Sequence, residues 1–147
     1  MKTIALRFSD NFAPGNGTID EHKKYIAEKG YIWYGKLGNP ISKKVSDEIL
    51  KDKSETKILL IQSGKHKRYW AKINKIQRDT PNIEDIPSYY RDDAIKFKTW
   101  FRVTDIQEAD KNVMSKCIVC SSKQSLTSVS QASMSPYFII EYDDIHD

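Results

Sequence analysis

The sequence predicts an α+β fold: a curved mixed sheet or open β-barrel of about six to seven strands, with two or three helices packed on it. Seven short runs of the 147-residue chain are rich in β-branched and aromatic residues, which favours strands. Two other stretches repeat apolar residues at the spacing of a helix. The predicted order along the chain is β-α-β-α-β-β-β-β-β.

The chain begins with a predicted strand at residues 2–8, KTIALRF. Residues 9–17 are rich in Asn, Asp, Pro and Gly and therefore predict a loop. The helix that follows is predicted to start with a capping box, with Thr18 as its N-cap and Glu21 three residues later. Gly30 is the predicted C-terminal stop of this helix.

The remaining elements are predicted from the same signals. Residues 39–53 place apolar residues four apart, which predicts a second helix. The strands at 56–64 and 67–77 form a predicted hairpin, and a long polar loop with one helical turn at its end follows at 78–93. A Ser-rich connection occupies 121–135. The other predicted strands are residues 31–37, 96–106, 116–122 and 137–144.

The composition predicts one folded domain over residues 1–147, either alone or as the N-terminal domain of a longer protein. Hydrophobic residues make up 39% and charged residues 30% of the chain, a balance that argues against a disordered protein. No apolar run approaches the ~20 residues that span a membrane, so we expect no membrane partner and a cytoplasmic location. The acidic stretch EYDDIHD would suit a linker to a downstream AAA+ motor or nuclease.

The residues that carry chemistry predict a binding domain rather than an enzyme. The sequence has no G-x-S-x-G motif, no paired histidines and no carboxylate cluster with the spacing of a nuclease. Cys117 and Cys120 form a single C-x-x-C, whereas a zinc site needs about four ligands. No histidine is spaced to complete such a site, so we expect neither a metal nor a cofactor.

The aromatic residues lie among many cations. The net charge of +4 fits a polyanionic ligand as well as it fits solvated lysines. Strand alternation places Trp100 on one face with Lys98 and Arg102, and Trp70 on a similar face. Such a tryptophan can pack beneath lysine stems, or it can be a platform on which a nucleobase stacks. Strand alternation would bury Trp33. This tryptophan nevertheless comes shortly before Gly35 and Gly38, and glycine permits the close approach of a ligand.

The order of these parts resembles the PUA-like superfamily, especially its EVE and YTH domains. The resemblance rests on the loop RFSDN before the first helix, the strand YIWYG after it, and the hairpin ILLIQSGKHKRYWAKINKIQRDTP. The strand KFKTWFRV is similar to the later strand that closes the barrel of the family. The resemblance covers most of residues 1–108 and implies a PUA-like fold.

The resemblance implies a function in nucleic-acid binding. Members of the superfamily bind nucleic acids, and the YTH and EVE branches take one modified base into an aromatic cage. Prokaryotic relatives are the recognition domains of modification-dependent restriction systems, so DNA is favoured over RNA, and a methylated base in a duplex would be flipped out. The alternatives are an RNA-binding PUA-like domain and a protein-interaction domain that uses the same aromatic groove.

The resemblance also implies roles for individual residues. The tryptophan of the strand after the first helix resembles the cage tryptophan, and a second wall is expected from later in the chain. The predicted base-binding cage is Trp33, Tyr34, Tyr89, Tyr90 and Trp100. The predicted contacts to the base edge are Ser9, Asp10, Asn11, Ser63 and Gly64. The predicted phosphate-binding residues are Lys65, Lys67, Arg68, Lys98 and Arg102.

Overall fold

The computed structural model describes residues 1–8, 17–36, 39–51, 56–62 and 67–142. The strands within these ranges are β1 (Lys2–Phe8), β2 (Ile32–Lys36), β3 (Lys57–Gln62), β4 (Arg68–Gln77), β5 (Thr99–Glu108), β6 (Cys117–Val119) and β7 (Tyr137–Tyr142). The α-helices are α1 (Thr18–Lys29), α2 (Lys43–Ile49) and α3 (Leu126–Ala132), and 3-10 helices cover Ile83–Asp85, Ser88–Lys96 and Val113–Lys116. None of these helices is long and apolar enough to cross a lipid bilayer.

The seven strands form one mixed sheet in the order β2-β5-β4-β3-β1-β7-β6. β1 and β3 run parallel, and the other neighbouring pairs are antiparallel. β4 is irregular where it pairs with β5, because the register shifts on either side of Ile73. The sheet with its packed helices confirms the predicted α+β class.

One contact between distant strands shows that the sheet curls. β2 lies at one edge, and β7 is five strands away in the sheet order. At ~4.8 Å between neighbouring strands, a flat sheet would separate the two by ~24 Å. Instead, the ammonium of Lys36 in β2 lies 4.2 Å from the ring centroid of Tyr137 in β7. The sheet is therefore strongly curved, as an open barrel requires.

Alternate strand residues point to two faces, which we call inner and outer. The inner face carries the main core, to which α1 contributes Ile19 and α2 contributes Ile49, while Ile41 precedes α2. Its buried strand residues are Ile4, Leu6, Phe8, Ile32, Tyr34, Ile58, Leu60, Ala71, Ile73, Phe101, Val103 and Ile106. The outer face carries two smaller clusters, one under α3 and its preceding 3-10 helix, the other under the segment 83–97.

The start of α1 differs from the prediction, and its end agrees. The predicted capping box is wrong, because Gly17 and not Thr18 is the N-cap, and glycine has no side chain that could cap the helix. Gly17 has a φ of 92°, a backbone conformation that glycine adopts far more readily than threonine. Thr18 is instead the first helical residue. Gly30 ends the helix in the left-handed conformation, and its N–H donates to Ile26 O at 2.7 Å.

Two connections contain more regular structure than the sequence predicts. The predicted polar loop at 78–93 contains two 3-10 helices, and the segment 83–97 covers part of the outer face. The Ser-rich connection contains α3, whose N-cap Ser125 accepts a hydrogen bond from Ser128 N at 3.2 Å. Buried Leu126 anchors this helix, so tertiary packing compensates for a sequence poor in strong helix formers.

Candidate functional site

The predicted cage residues lie on both faces of the sheet. Trp33 and Trp100 belong to the outer cluster under the segment 83–97. Tyr34 belongs to the inner core, and Tyr89 lies edge-on to a histidine of α1 on that side. The side chain of Tyr90 lies outside the described part of the chain. The described cage residues therefore form two groups, because Trp33 and Tyr34 are adjacent in one strand and point to opposite faces.

The outer group is a packed hydrophobic cluster, which we call the tryptophan cluster. Its buried members are Trp33, Ile86, Ala94 and Trp100, with Tyr31 and Phe97 packed against them. Trp100 has no exposed surface, and Trp33 exposes 6%. The alternation that places Trp100 and Arg102 on one face is right. Of the two possibilities for Trp100, a packing residue or a stacking platform, the structure shows packing, because the segment 83–97 covers the indole.

Gly35 makes room for the tryptophan cluster, because it pairs with Trp100 across β2 and β5. A Cβ added at Gly35 would lie 2.8 Å from Phe97 Cγ and 3.0 Å from Trp100 Cζ3. We therefore expect Gly35→Ala to lower the free energy of unfolding by about 1–3 kcal/mol, since the rings must shift. Urea denaturation followed by tryptophan fluorescence measures the loss and reports the moved indoles.

The control for this prediction is Gly30→Ala. A Cβ at Gly30 has no atom within 4 Å, but the residue has a φ of +87°. Gly30→Ala should lower the free energy of unfolding by about 1–2 kcal/mol through backbone strain alone, so the tryptophan emission spectrum of the native protein should stay unchanged. A Gly35→Ala variant with native stability and native emission would contradict the packing described for β2 and β5.

Further aromatic rings lie on the inner face with this group, in separate contact pairs, and we call the whole set the aromatic row. It contains Phe8, Tyr34, Tyr69, Tyr89 and Tyr137, together with two basic side chains, His22 and Lys36. The rings of Phe8 and Tyr69 lie 6.2 Å apart, and Tyr34 lies 5.2 Å from the ring of His22. Tyr69, Tyr89 and Tyr137 are partly exposed. Flat apolar surfaces thus lie next to a basic group at one end of the barrel.

The aromatic row lies where β1 and β3 end side by side. Phe8, the last residue of β1, pairs with Gln62, the last residue of β3. The predicted base-edge residues follow these two positions in the chain. Ser9, Asp10, Asn11, Ser63 and Gly64 lie outside the described residues, so their role stays a prediction.

Lys36 is the most unusual member of the row, because lysine is seldom buried. It exposes only 5% of its surface, and its ammonium donates to Asn39 O at 2.9 Å. The same ammonium lies over the ring of Tyr137 in a cation–π contact. Burial lowers the pKa of the Lys36 ammonium. A partly desolvated ammonium beside aromatic rings can bind an anion or a hydrogen-bond acceptor of a flat ligand.

His22 stabilises the other end of the row. It is buried between Tyr34 and Tyr89, and its Nδ1–H donates to Thr18 O at 2.8 Å. Burial lowers the pKa of His22 to about 4, although the bond to Thr18 acts in the opposite direction. The imidazole is therefore neutral at pH 7 and acts as part of the core.

The predicted phosphate-binding residues have different surroundings. Lys67 and Lys98 are exposed, while Lys65 lies outside the described residues. Arg68 is packed against the sulfur of Met114, with Nε 2.6 Å from Sδ, and burial lowers the pKa of its guanidinium. The guanidinium of Arg102 stacks on the ring of Tyr31, the residue before β2, at 4.0 Å from the ring centroid.

A comparison with models of known protein families identifies the family of this chain. The family model described as Pua-like matches residues 4–145. The chain belongs to the Pua-like family. Comparison with curated proteins and with solved structures found no match. The superfamily predicted from the sequence is confirmed, and its EVE or YTH subtype stays a prediction.

Family membership gives a general indication of function. The Pua-like family indicates binding of nucleic acids or modified bases in general, and its domains are generally binding modules rather than enzymes. Within the described part of this Pua-like domain, no three His, Cys, Asp or Glu side chains are grouped to hold a metal ion. The candidate site is therefore the aromatic row with its buried lysine.

Sequence reasoning missed Lys36 and Tyr137 as site residues of the Pua-like domain. A signal for Lys36 was present, since period-two alternation places it on the same strand face as Tyr34. Tyr137 carried no such signal, because its contact with Lys36 exists only once the sheet has curled. The sequence separates these two residues widely, and the fold brings them together.

Proposed function

We propose that this Pua-like domain is a nucleic-acid-binding module that recognises a modified, methylated base at the aromatic row. The observation that supports the proposal is the buried Lys36 among partly exposed aromatic rings at one end of the barrel. Pockets for flat ligands combine apolar and aromatic walls with few polar groups that fix orientation. A perturbed pKa at such a place favours function over packing.

The row offers what recognition of a methylated base requires. Stacking of a base on an aromatic ring is worth about 1–3 kcal/mol, and a methyl buried among rings adds about 0.8 kcal/mol. The Lys36 ammonium can donate to an acceptor on the base edge or to the adjacent phosphate. A base within a duplex would be flipped out at a cost of a few kcal/mol, which phosphate contacts can offset.

We propose different roles for the predicted cage residues. Tyr89, which is partly exposed, is proposed as a wall of the base site, and Tyr34, which exposes 8% of its surface, as the ring behind it; Tyr90 is a third candidate. Trp33 exposes only 6% of its surface and would need the segment 83–97 to move before it could meet a base. Trp33 and Trp100 are therefore proposed to hold β2 and β5 in place beneath the site.

Two narrower proposals concern the type of nucleic acid that is bound and the biological system in which the domain acts. The resemblance to EVE and YTH domains favours DNA over RNA and a specificity domain of a modification-dependent restriction system. In that setting the domain would act with an AAA+ motor or nuclease, in the same chain or as a separate subunit. The domain itself would supply recognition and no catalysis.

A binding screen tests the proposal. Labelled single- and double-stranded DNA and RNA, plain or with methylated adenine or cytosine, are titrated with the protein and followed by fluorescence anisotropy. The proposal expects one modified oligonucleotide to bind tighter than its plain counterpart. Tighter binding of modified RNA than of modified DNA would favour the RNA-binding alternative. No salt-dependent binding to any oligonucleotide would contradict the proposal and favour a protein-interaction domain.

Lys36→Met tests the role of the buried ammonium in the preferred complex. A hydrogen bond from a charged group is worth about 1.5–3 kcal/mol, so affinity for the preferred oligonucleotide should fall roughly 10- to 100-fold. The matched control is Lys111→Met, which removes an exposed positive charge far along the chain. Equal affinities of the two variants for the modified oligonucleotide would exclude Lys36 from the base site.

A further inference from the structure

The outer face of the sheet also carries a group of exposed and partly exposed cations beside its two covered clusters. α3 and its preceding 3-10 helix pack over one part of this face, and the segment 83–97 packs over another. Strands β3, β4 and β5 present the four cations. We call these residues the basic strip: Lys57, Lys72, Lys75 and Arg102.

The strand register places these cations directly opposite one another. Lys57 of β3 pairs with Lys72 of β4, and Lys75 of β4 pairs with Arg102 of β5. Like charges at paired positions of a sheet are destabilising. One carboxylate, that of Asp105, pairs with Lys72. In the described part of the chain, no carboxylate lies within 4.0 Å of a basic-strip cation.

Two of the four cations are held by aromatic rings instead. The ammonium of Lys57 lies 4.5 Å from the ring centroid of Trp70, and the Arg102 guanidinium lies 4.0 Å from that of Tyr31. Cation–π contacts fix a charge without neutralising it. Among the described residues, no carboxylate lies within 4.0 Å of the guanidinium stacked on Tyr31, and its planar N–H edge matches a phosphate in geometry.

We propose that the basic strip binds the phosphate backbone of a nucleic-acid strand. Repulsion between paired cations is relieved by an anion, and their spacing of ~4.8 Å from strand to strand suits a chain of regularly spaced charges better than one small ion. The inference rests on the proposed function, but it concerns the opposite face from the aromatic row. The two surfaces therefore have separate tests.

The test is the double variant Lys75→Gln/Arg102→Gln, measured with an unmodified oligonucleotide over a salt series. Each phosphate contact contributes ~0.7–0.9 to the slope of log affinity against log salt concentration, so the slope should become shallower by about 1.4–1.8. The matched control, Lys43→Gln/Lys111→Gln, removes two exposed lysines outside the strip and should keep the wild-type slope. Arg102→Lys keeps the charge and should also keep the slope.

The outcomes separate this inference from the proposed function. If the double variant keeps the wild-type slope and affinity, the basic strip does not bind phosphates, whatever the base preference shows. If the double variant weakens modified and plain oligonucleotides equally, the strip reads the backbone, and the preference belongs to another surface. Displacement of the oligonucleotide by polyglutamate at equal charge concentration would overturn nucleic acid as the occupant of the strip.

Discussion

Replacement of Trp100 by alanine is expected to lower the free energy of unfolding by about 3–5 kcal/mol. The indole has no exposed surface and packs against Phe97 with a centroid distance of 5.3 Å. Its removal leaves a cavity between β5 and the segment 83–97, which a close-packed interior can fill only in part. Urea denaturation followed by circular dichroism measures the change.

A second variant separates the loss of packing at Trp100 from a general effect of replacing a large side chain by alanine. Ile95 lies in the same segment but exposes 76% of its surface, so Ile95→Ala should change stability by no more than about 0.5 kcal/mol.

The Trp100 result also tests the predicted cage. A Trp100→Ala variant with native stability and no preference for a modified base would identify Trp100 as a wall of the base site and contradict its role in packing.

Acid is expected to destabilise the domain through His22 by about 3 kcal/mol between neutral pH and about pH 4. The ordinary pKa of 6.5 holds in the unfolded state, and burial lowers the pKa to about 4 in the folded state. The unfolded state therefore binds more protons between these values. The stabilisation is present in full above pH 6.5 and is lost as the pH falls to about 4, below which both states are protonated.

The measurement is the free energy of unfolding by urea at several pH values, for the wild type and for His22→Gln. The glutamine cannot titrate, so the difference between the two proteins isolates the histidine from the carboxylates that titrate in the same range. The wild type should lose stability relative to the variant as the pH falls. Parallel pH profiles would show that His22 is not buried as a neutral imidazole.

Period-two alternation predicted the strands well, because their inner faces are buried over most of their length. It correctly placed Trp100 and Arg102 on one face of β5, and the residues between and beyond them, Phe101 and Val103, lie on the other face. The stop of α1 was equally readable, since Gly30 adopts a conformation that other residues avoid. In each case, the information lies within a few residues of the position it determines.

The failures concern contacts made over long sequence distances. The segment 83–97 covers the tryptophan cluster with Ile86 and Ala94, which are too few and too widely spaced to predict an amphipathic element. Strand alternation therefore left open whether Trp100 is a packing residue or a stacking platform. The resemblance placed Trp33 and Tyr34 in one cage, whereas in the structure they lie on opposite faces of β2.

The position of β1 has a consequence for how the chain reaches this fold. β1 lies between β3 and β7, so the first described strand is enclosed by a partner from the opposite end of the described chain. Pairings of such large sequence separation carry a heavy loop-closure entropy and slow the search for the native topology. Until residues 137–142 emerge from the ribosome, one edge of β1 stays unpaired. During synthesis, this edge is where a nascent chain is most exposed to pairing with a neighbour.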